Sequence, residues 1–179
     1  ITEEITQDAS MQLYAFANTL AAQRRADPKD DLISVLTQSE VDGEMLSEIE
    51  LDLFFLLLTV AGNETTRNLI SHGMVALLEH PEELEKVRAN RALLPGAVEE
   101  MLRWASPVMH FRRTATRDVE LSGQKIKAGD KVVIWYISAN RDEKAFKDPF
   151  TFDVERSPNE HVAFGGGGEQ FGGHVVEHA

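Results

Sequence analysis

Cysteine does not occur in this 179-residue chain. Disulfides and thiolate metal sites are thereby excluded, and the redox compartment stays open. Basic residues are scarce: 18 Lys and Arg face 30 Asp and Glu, for a formal net charge of −12. Such a surface repels phosphate backbones and anionic lipid, which speaks against nucleic acid as a partner but not against a basic protein. Long hydrophobic runs are also lacking. The most apolar stretch, LFFLLLTVAG (Leu53–Gly62), lies between Asp52 and Glu64 and is too short to span a bilayer. No signal-peptide pattern opens the chain, and the expected location is cytoplasmic. The first residue is Ile rather than Met, so the chain is expected to begin inside a longer or processed gene product. What remains is 42% apolar, enough to build a core of ordinary size.

Period and punctuation divide the chain into helices followed by strands. MQLYAFANTLAAQRRA (Met11–Ala26) has apolar residues at helical spacing and ends in a basic turn. DPKDD breaks it, and Leu32–Leu36 reads as a short helix. Ser47 and Glu50 form a capping box, from which a helical pattern runs to about Leu78, apolar nearly all round in its middle. That pattern implies burial on every side. Pro81 and Pro95 each sit where a helix begins, and the second of these helices stops before Pro107. HFRRTATRDVELSG and KVVIWYIS then read as strands, with turns at Ser122–Gly123 and Ala128–Asp130. The class is mainly α with a small antiparallel β part, and without βαβ alternation the glycines 165–168 are not a dinucleotide loop.

Four constellations carry chemistry. In AGNETT (Ala61–Thr66), Gly62 weakens a helix interior, and Glu64 and Thr65 set an acid beside an alcohol. The segment reads as a local opening of the helix with a proton-relaying pair, or as a solvated stretch. EEMLR places Glu100 and Arg103 on one helical face, either a surface pair or part of a buried cluster that Arg156 completes. Arg112, Arg113 and His161 could converge on a carboxylate or phosphate, or be solvated charges. HVVEH (His174–His178) matches an inverted zinc-protease pattern with Glu177 between its histidines, but the following helix and third ligand are missing.

Taken in order, these pieces resemble the cytochrome P-450 superfamily, the haem-thiolate monooxygenases, from about Ala21 to Gly168. AGNETTRNLISHGMVAL resembles the family's central oxygen-binding helix, EEMLR its E-x-x-R helix, FRRTATRDVELSG with IKAGDKV its following strands, and ANRDEKAFKDPFTFDVERSPNEHVAFGGGG its meander and haem loop. The likeness is greatest to bacterial members that hydroxylate sterols, terpenoids and methyl-branched lipids. The resemblance implies an incomplete cytochrome P-450 fold, in which 1–46 are lid-side helices, 47–79 the central helix and 80–106 the helices after it. Residues 107–138 would be the β region, 139–168 the meander and start of the haem loop, and 169–179 a divergent tail.

The resemblance also implies roles. Glu64 and Thr65 would deliver protons, beside a groove formed by Ala61 and Gly62. Glu100, Arg103 and Arg156 would form a structural triad. Arg113, with Arg112 as the alternative, and His161 would bind haem propionates. Phe164, Gly165 and Gly167 would begin the haem loop, and Val108 and Met109 would face a lipophilic substrate. The cofactor would be haem and the electron donor a ferredoxin or flavodoxin chain.

The loop then departs from the family pattern F-G-x-G-x-H-x-C-x-G. Counted from Phe164, the cysteine position is occupied by Gly172, and Glu169, Gln170 and the tail also differ. Glycine offers iron no donor atom. The chain is therefore expected to be a piece of such an enzyme, about half of a family member, with a lost reading frame near 169 as one origin. It would be inactive itself, and without the family's other core helices Phe54, Phe55, Leu57 and Leu58 would be left incompletely covered. The alternatives are a non-catalytic remnant or weak haem binder, with His174 or His161 as ligand, and last a zinc site through HVVEH.

Overall fold

The computed structural model describes residues 3–165. It divides into two units, 1–64 and 65–179, with the division inside one long helix.

In the first unit, α1 (Glu3–Ala26) packs on α2 (Leu32–Gln38). Asp31 has extended backbone and receives the Ser34 N–H at 2.8 Å, the standard device for satisfying a free donor at a helix start. Arg24, in the last turn of α1, pairs with the same carboxylate. Two contacts tie α1 to the next helix, α3 (Glu48–Glu79): Asn18 Nδ2 donates to Asp52 at 3.1 Å, and the rings of Phe16 and Phe55 lie 6.0 Å apart. Between α2 and α3 is a small hairpin, β1 (Glu40–Val41) and β2 (Glu44–Met45), turning through Asp42 and Gly43 at positive φ. The sequence reading had no strands here, because two-residue strands carry no alternation to detect.

Helix α3 starts as its sequence dictates. The Ser47 N–H and hydroxyl both donate to Glu50 Oε2, at 2.9 and 2.7 Å, and the Glu50 N–H returns to Ser47 Oγ at 3.3 Å. Its course corrects one expectation: the helix is continuous through Gly62, with no opening there. Its apolar middle is incompletely covered, as expected of a partial chain: Leu53, Phe54, Leu57 and Val60 are 54%, 39%, 59% and 64% exposed, and Phe55 and Leu58 are half-buried. Among the described residues no helix is long and apolar enough to cross a membrane.

The second unit holds the main core, Ala76, Leu77, Val87, Ala97, Phe152 and Val154, flanked by Leu84, Leu93, Met101 and Trp104. Helix α4 (Pro81–Ala89) begins with proline and two acids, and α5 (Leu94–Ala105) follows a single 3-10 turn. Ser106 ends α5 in the left-handed conformation, φ 40°, returning its N–H to Leu102 O. Beyond it β3 (His110–Thr114) pairs antiparallel with β6 (Lys131–Trp135), and β4 (Val119–Leu121) with β5 (Gln124–Ile126) across Ser122–Gly123. Both turn residues have positive φ, which suits the twist of a two-residue hairpin.

The strand expected over KVVIWYIS ends early. Tyr136–Ala139 is a helical turn, α6, with Tyr136 buried. That turn carries the side chain of Asn140 to Ser106 Oγ at 2.9 Å and to the Val162 N–H at 2.8 Å. Continued strand would abandon both bonds.

Candidate functional site

A dense group of hydrogen-bonded side chains is centred on α5. Glu100 and Arg103, one helical turn apart, are both 0% exposed. Their contact is bidentate: Arg103 Nε to Glu100 Oε2 and Nη2 to Oε1, each at 2.7 Å. Arg103 spends its other N–H groups on main-chain carbonyls. Nη1 donates to Asn140 O and Pro149 O, both at 2.8 Å, and Nη2 to Thr151 O at 3.2 Å. Arg156 also reaches this carboxylate, its Nε 3.3 and 3.2 Å from the two Glu100 oxygens. Its Nη1 donates to Lys147 O, and its Nη2 to Asp148 O and Thr151 O. The structure thus brings Glu100, Arg103 and Arg156 together.

Sequence reasoning missed two further partners of Glu100, the Asp153 N–H at 3.0 Å and Asn159 Nδ2 at 3.1 Å. No local pattern announces either. A second clamp was also missed. Buried Glu83 on α4 accepts from the Val154 N–H at 3.0 Å and from Lys86 at 2.8 Å. Glu83 and then Glu155 hold the Lys86 ammonium well above the usual lysine range. Arg141 lies over the Trp104 ring at 4.9 Å and donates to Trp104 O. Burial, with Arg103 nearby, lowers its pKa from the ordinary arginine value.

The remaining predicted residues are dispersed. On α3, Ala61, Gly62 and Glu64 are exposed and Thr65 is half-buried. A Cβ built on Gly62 would meet nothing within 4 Å. Arg113 is half-buried, with its guanidinium 5.3 Å from the Phe111 ring, and Arg112 is exposed. His161 does not stand as a solvated charge. Its side chain is 6% exposed, with Nε2 at 2.8 Å from Glu99 and Nδ1 accepting from the Ala163 N–H at 3.3 Å. Phe164 is 56% exposed, its ring 6.3 Å from that of His161, and Gly165 has φ 96°. Val108 is half-buried and Met109 is 53% exposed. Gly167, Gly172, His174, Glu177 and His178 lie outside the described residues. Among those described, no three His, Asp or Glu side chains group as a metal site.

The sequence profile of the cytochrome P-450 family matches residues 2–170. The chain belongs to the cytochrome P-450 family. It is 55% identical over 163 residues to a methyl-branched lipid omega-hydroxylase of Mycobacterium tuberculosis, covering 90% of this chain and 38% of that protein. It is 48% identical to a steroid C26-monooxygenase of the same species, covering 91% of this chain and 37% of that protein. Among solved structures, a Bacillus megaterium cytochrome P-450 in complex with testosterone superposes with a TM-score of 0.86 at 41% identity, covering 92% of this chain and 46% of that one. A Mycobacterium marinum cytochrome P-450 in complex with pseudoionone gives 0.75 at 52% identity, covering 89% and 39%. The chain therefore spans less than two-fifths of the length of these curated relatives.

Haem is the cofactor of the cytochrome P-450 family, and its ligand there is a cysteine thiolate. The donor set of this chain does not fit that ligation. It has no cysteine anywhere, and Gly172 holds the position where the loop pattern requires one.

Proposed function

We propose that this chain is a piece of a haem-dependent monooxygenase that hydroxylates a lipophilic substrate, a sterol, terpenoid or branched lipid, with dioxygen and electrons from a ferredoxin or flavodoxin chain. The chain itself does not carry out that reaction. One observation carries both halves of this reading: a family match over almost the whole chain in a sequence without cysteine. A thiolate ligand donates the electron density that favours O–O cleavage, and nothing in this sequence supplies one. The names of the relatives in mycobacteria support the lipophilic substrate class.

In the complete enzyme, Glu64 and Thr65 are the acid–alcohol pair that delivers protons, and Ala61 and Gly62 leave room beside them. The open space at Gly62 supports this assignment, since no packing contact there requires a glycine. Arg113 and His161 are the propionate-binding side chains, Phe164, Gly165 and Gly167 open the haem loop, and Val108 and Met109 face substrate. Glu100, Arg103 and Arg156 shape the meander and touch no reactant. The enzyme is expected in the cytoplasm.

The test is a reduced, CO-bound difference spectrum of the chain after incubation with haemin. The expected result is no thiolate-type band, and either no complex or a histidine-type spectrum. A strongly red-shifted Soret band of the thiolate type would overturn the reading.

A further inference from the structure

The β3–β6 ribbon suggests an interaction surface unrelated to the haem loop. Among the described residues β6 pairs with β3 alone, so the far edge of β6 has a row of backbone donors and acceptors with no strand opposite. Two-stranded ribbons are marginal by themselves, and an uncovered apolar edge strand is a template for a further strand. The two edges differ in chemistry. β3 carries Arg112 and Arg113, which oppose self-pairing by like-charge repulsion. β6 reads KVVIW, β-branched and aromatic with a single charge. Its alternate residues Val133 and Trp135 are 42% and 53% exposed, on the face where Trp135 stacks on His110 at 4.7 Å.

We infer that β6 pairs antiparallel with β6 of a second copy of this chain, with Val133 on the two-fold axis. The strand is self-complementary in that register. Val133 lies opposite Val133 of the partner subunit, Val132 opposite an isoleucine, and Lys131 opposite a tryptophan. Each lysine stem then lies against an indole, a favourable cross-strand contact, while the ammonium keeps its bond to Thr114 Oγ1 on β3 at 2.6 Å. The two lysine–tryptophan pairs flank the central valines on one face. An offset by one residue would turn that face away from its counterpart. Five paired residues give a small interface, well below the area of a lasting dimer. The association is therefore weak and is best detected by trapping it.

The cysteine-free sequence makes the trap simple. In the full-length chain, Val133→Cys places one thiol on the axis, opposite its own copy. Directly opposed strand residues have Cα atoms about 4.5–5.5 Å apart, within disulfide reach. Arg112→Cys is the control. It lies across from Val133 on β3, so in the paired dimer the two copies of the control thiol are three strand spacings apart, about 14 Å. Under mild oxidation, V133C is expected to give several-fold more cross-linked dimer than R112C at equal concentration. Equal cross-linking of the two variants, which non-specific association would produce, overturns the proposal. So does a V133C chain that stays monomeric.

Discussion

At the scale of single residues, the buried carboxylate of Glu100 is the point on which most depends. It is fully enclosed, yet it accepts from two guanidiniums, a side-chain amide and a main-chain N–H. Burial of a charge is tolerable on these terms only while the partners remain. Glu100→Gln keeps the size but leaves the buried Arg103 and the half-buried Arg156 without their counter-charge. Breaking such a pair typically costs ~3–5 kcal/mol. Urea denaturation of the full chain should show a loss of that order, and a loss below ~1 kcal/mol would mean that the cluster is solvated in solution. Asp31 offers a contrasting case, half-buried at a helix start. The Ser34 N–H and then Arg24 lower its pKa from 3.8 to about 2. Because the folded form binds the proton less readily than the unfolded one, its stabilising contribution is complete above 3.8 and fades as pH falls toward about 2. Asp31→Asn retains a capping oxygen but cannot titrate. The stability gap between wild type and D31N should therefore close over that window and be constant above it. A gap that widens on acidification would contradict the assignment.

At the scale of elements, two glycines of α3 make opposite predictions. A Cβ on Gly73 would lie 2.6 Å from Met101 Sδ and 2.9 Å from its Cγ, so α3 and α5 approach closely there. Gly62 has open space. Alanine gains up to ~1 kcal/mol over glycine in a helix interior, whereas overpacking costs ~1–3 kcal/mol. Gly62→Ala should stabilise the chain, and Gly73→Ala should destabilise it. In a Met101→Ala background the penalty at Gly73 should shrink, since only the Cβ of residue 101, at 3.3 Å, stays close, and a double-mutant cycle would measure the coupling directly. The elements also show what was legible beforehand. The capping box at Ser47, the prolines opening α4 and α5, and the E-x-x-R spacing are local signals, and each marks a feature that the structure contains. The residues alone leave the burial of Arg103 open, but the triad that the resemblance implies is present, and the carbonyls of 140, 149 and 151 supply the partners that make burial possible. Helix α6 was misread because YIS extends a β-branched, aromatic run, and only the distant Ser106 and Val162 explain why the chain turns at Tyr136. The missed Asn159 and Asp153 contacts fall in the same class: they depend on a partner more than fifty positions away.

At the scale of the whole molecule, the two units differ in what they bury. In the first, the buried residues are Ala17, Ala21, Leu51, Ser34 and Thr37, with one large apolar side chain among them. The second holds the six-residue core and the enclosed ion cluster. Stability within a chain follows buried apolar contact and enclosed hydrogen bonds. Amides of α1 and α2 should therefore exchange with solvent well before those of α5, as read by hydrogen-exchange mass spectrometry. The exposed apolar residues Leu53, Leu57 and Val60 should bind a hydrophobic dye under the same conditions. Equal protection throughout, with a single sharp thermal transition and no dye binding, would show that the first unit is completed in solution.

The ion cluster has a consequence for how freely this stretch of chain can diverge. Arg103 and Arg156 address the segment from 140 to 151 through carbonyl oxygens, those of Asn140, Lys147, Asp148, Pro149 and Thr151. Every amino acid supplies a carbonyl, so the path is fixed while most of the alphabet stays open along it. Lys147 and Thr151, whose side chains face solvent, can drift with little penalty. Asp148, at φ 47°, is confined to the few residues that tolerate a left-handed backbone. Asn140 cannot drift, because its amide is bonded at both ends. Two arginines thus hold a main-chain course constant under a side-chain sequence that is largely free to change.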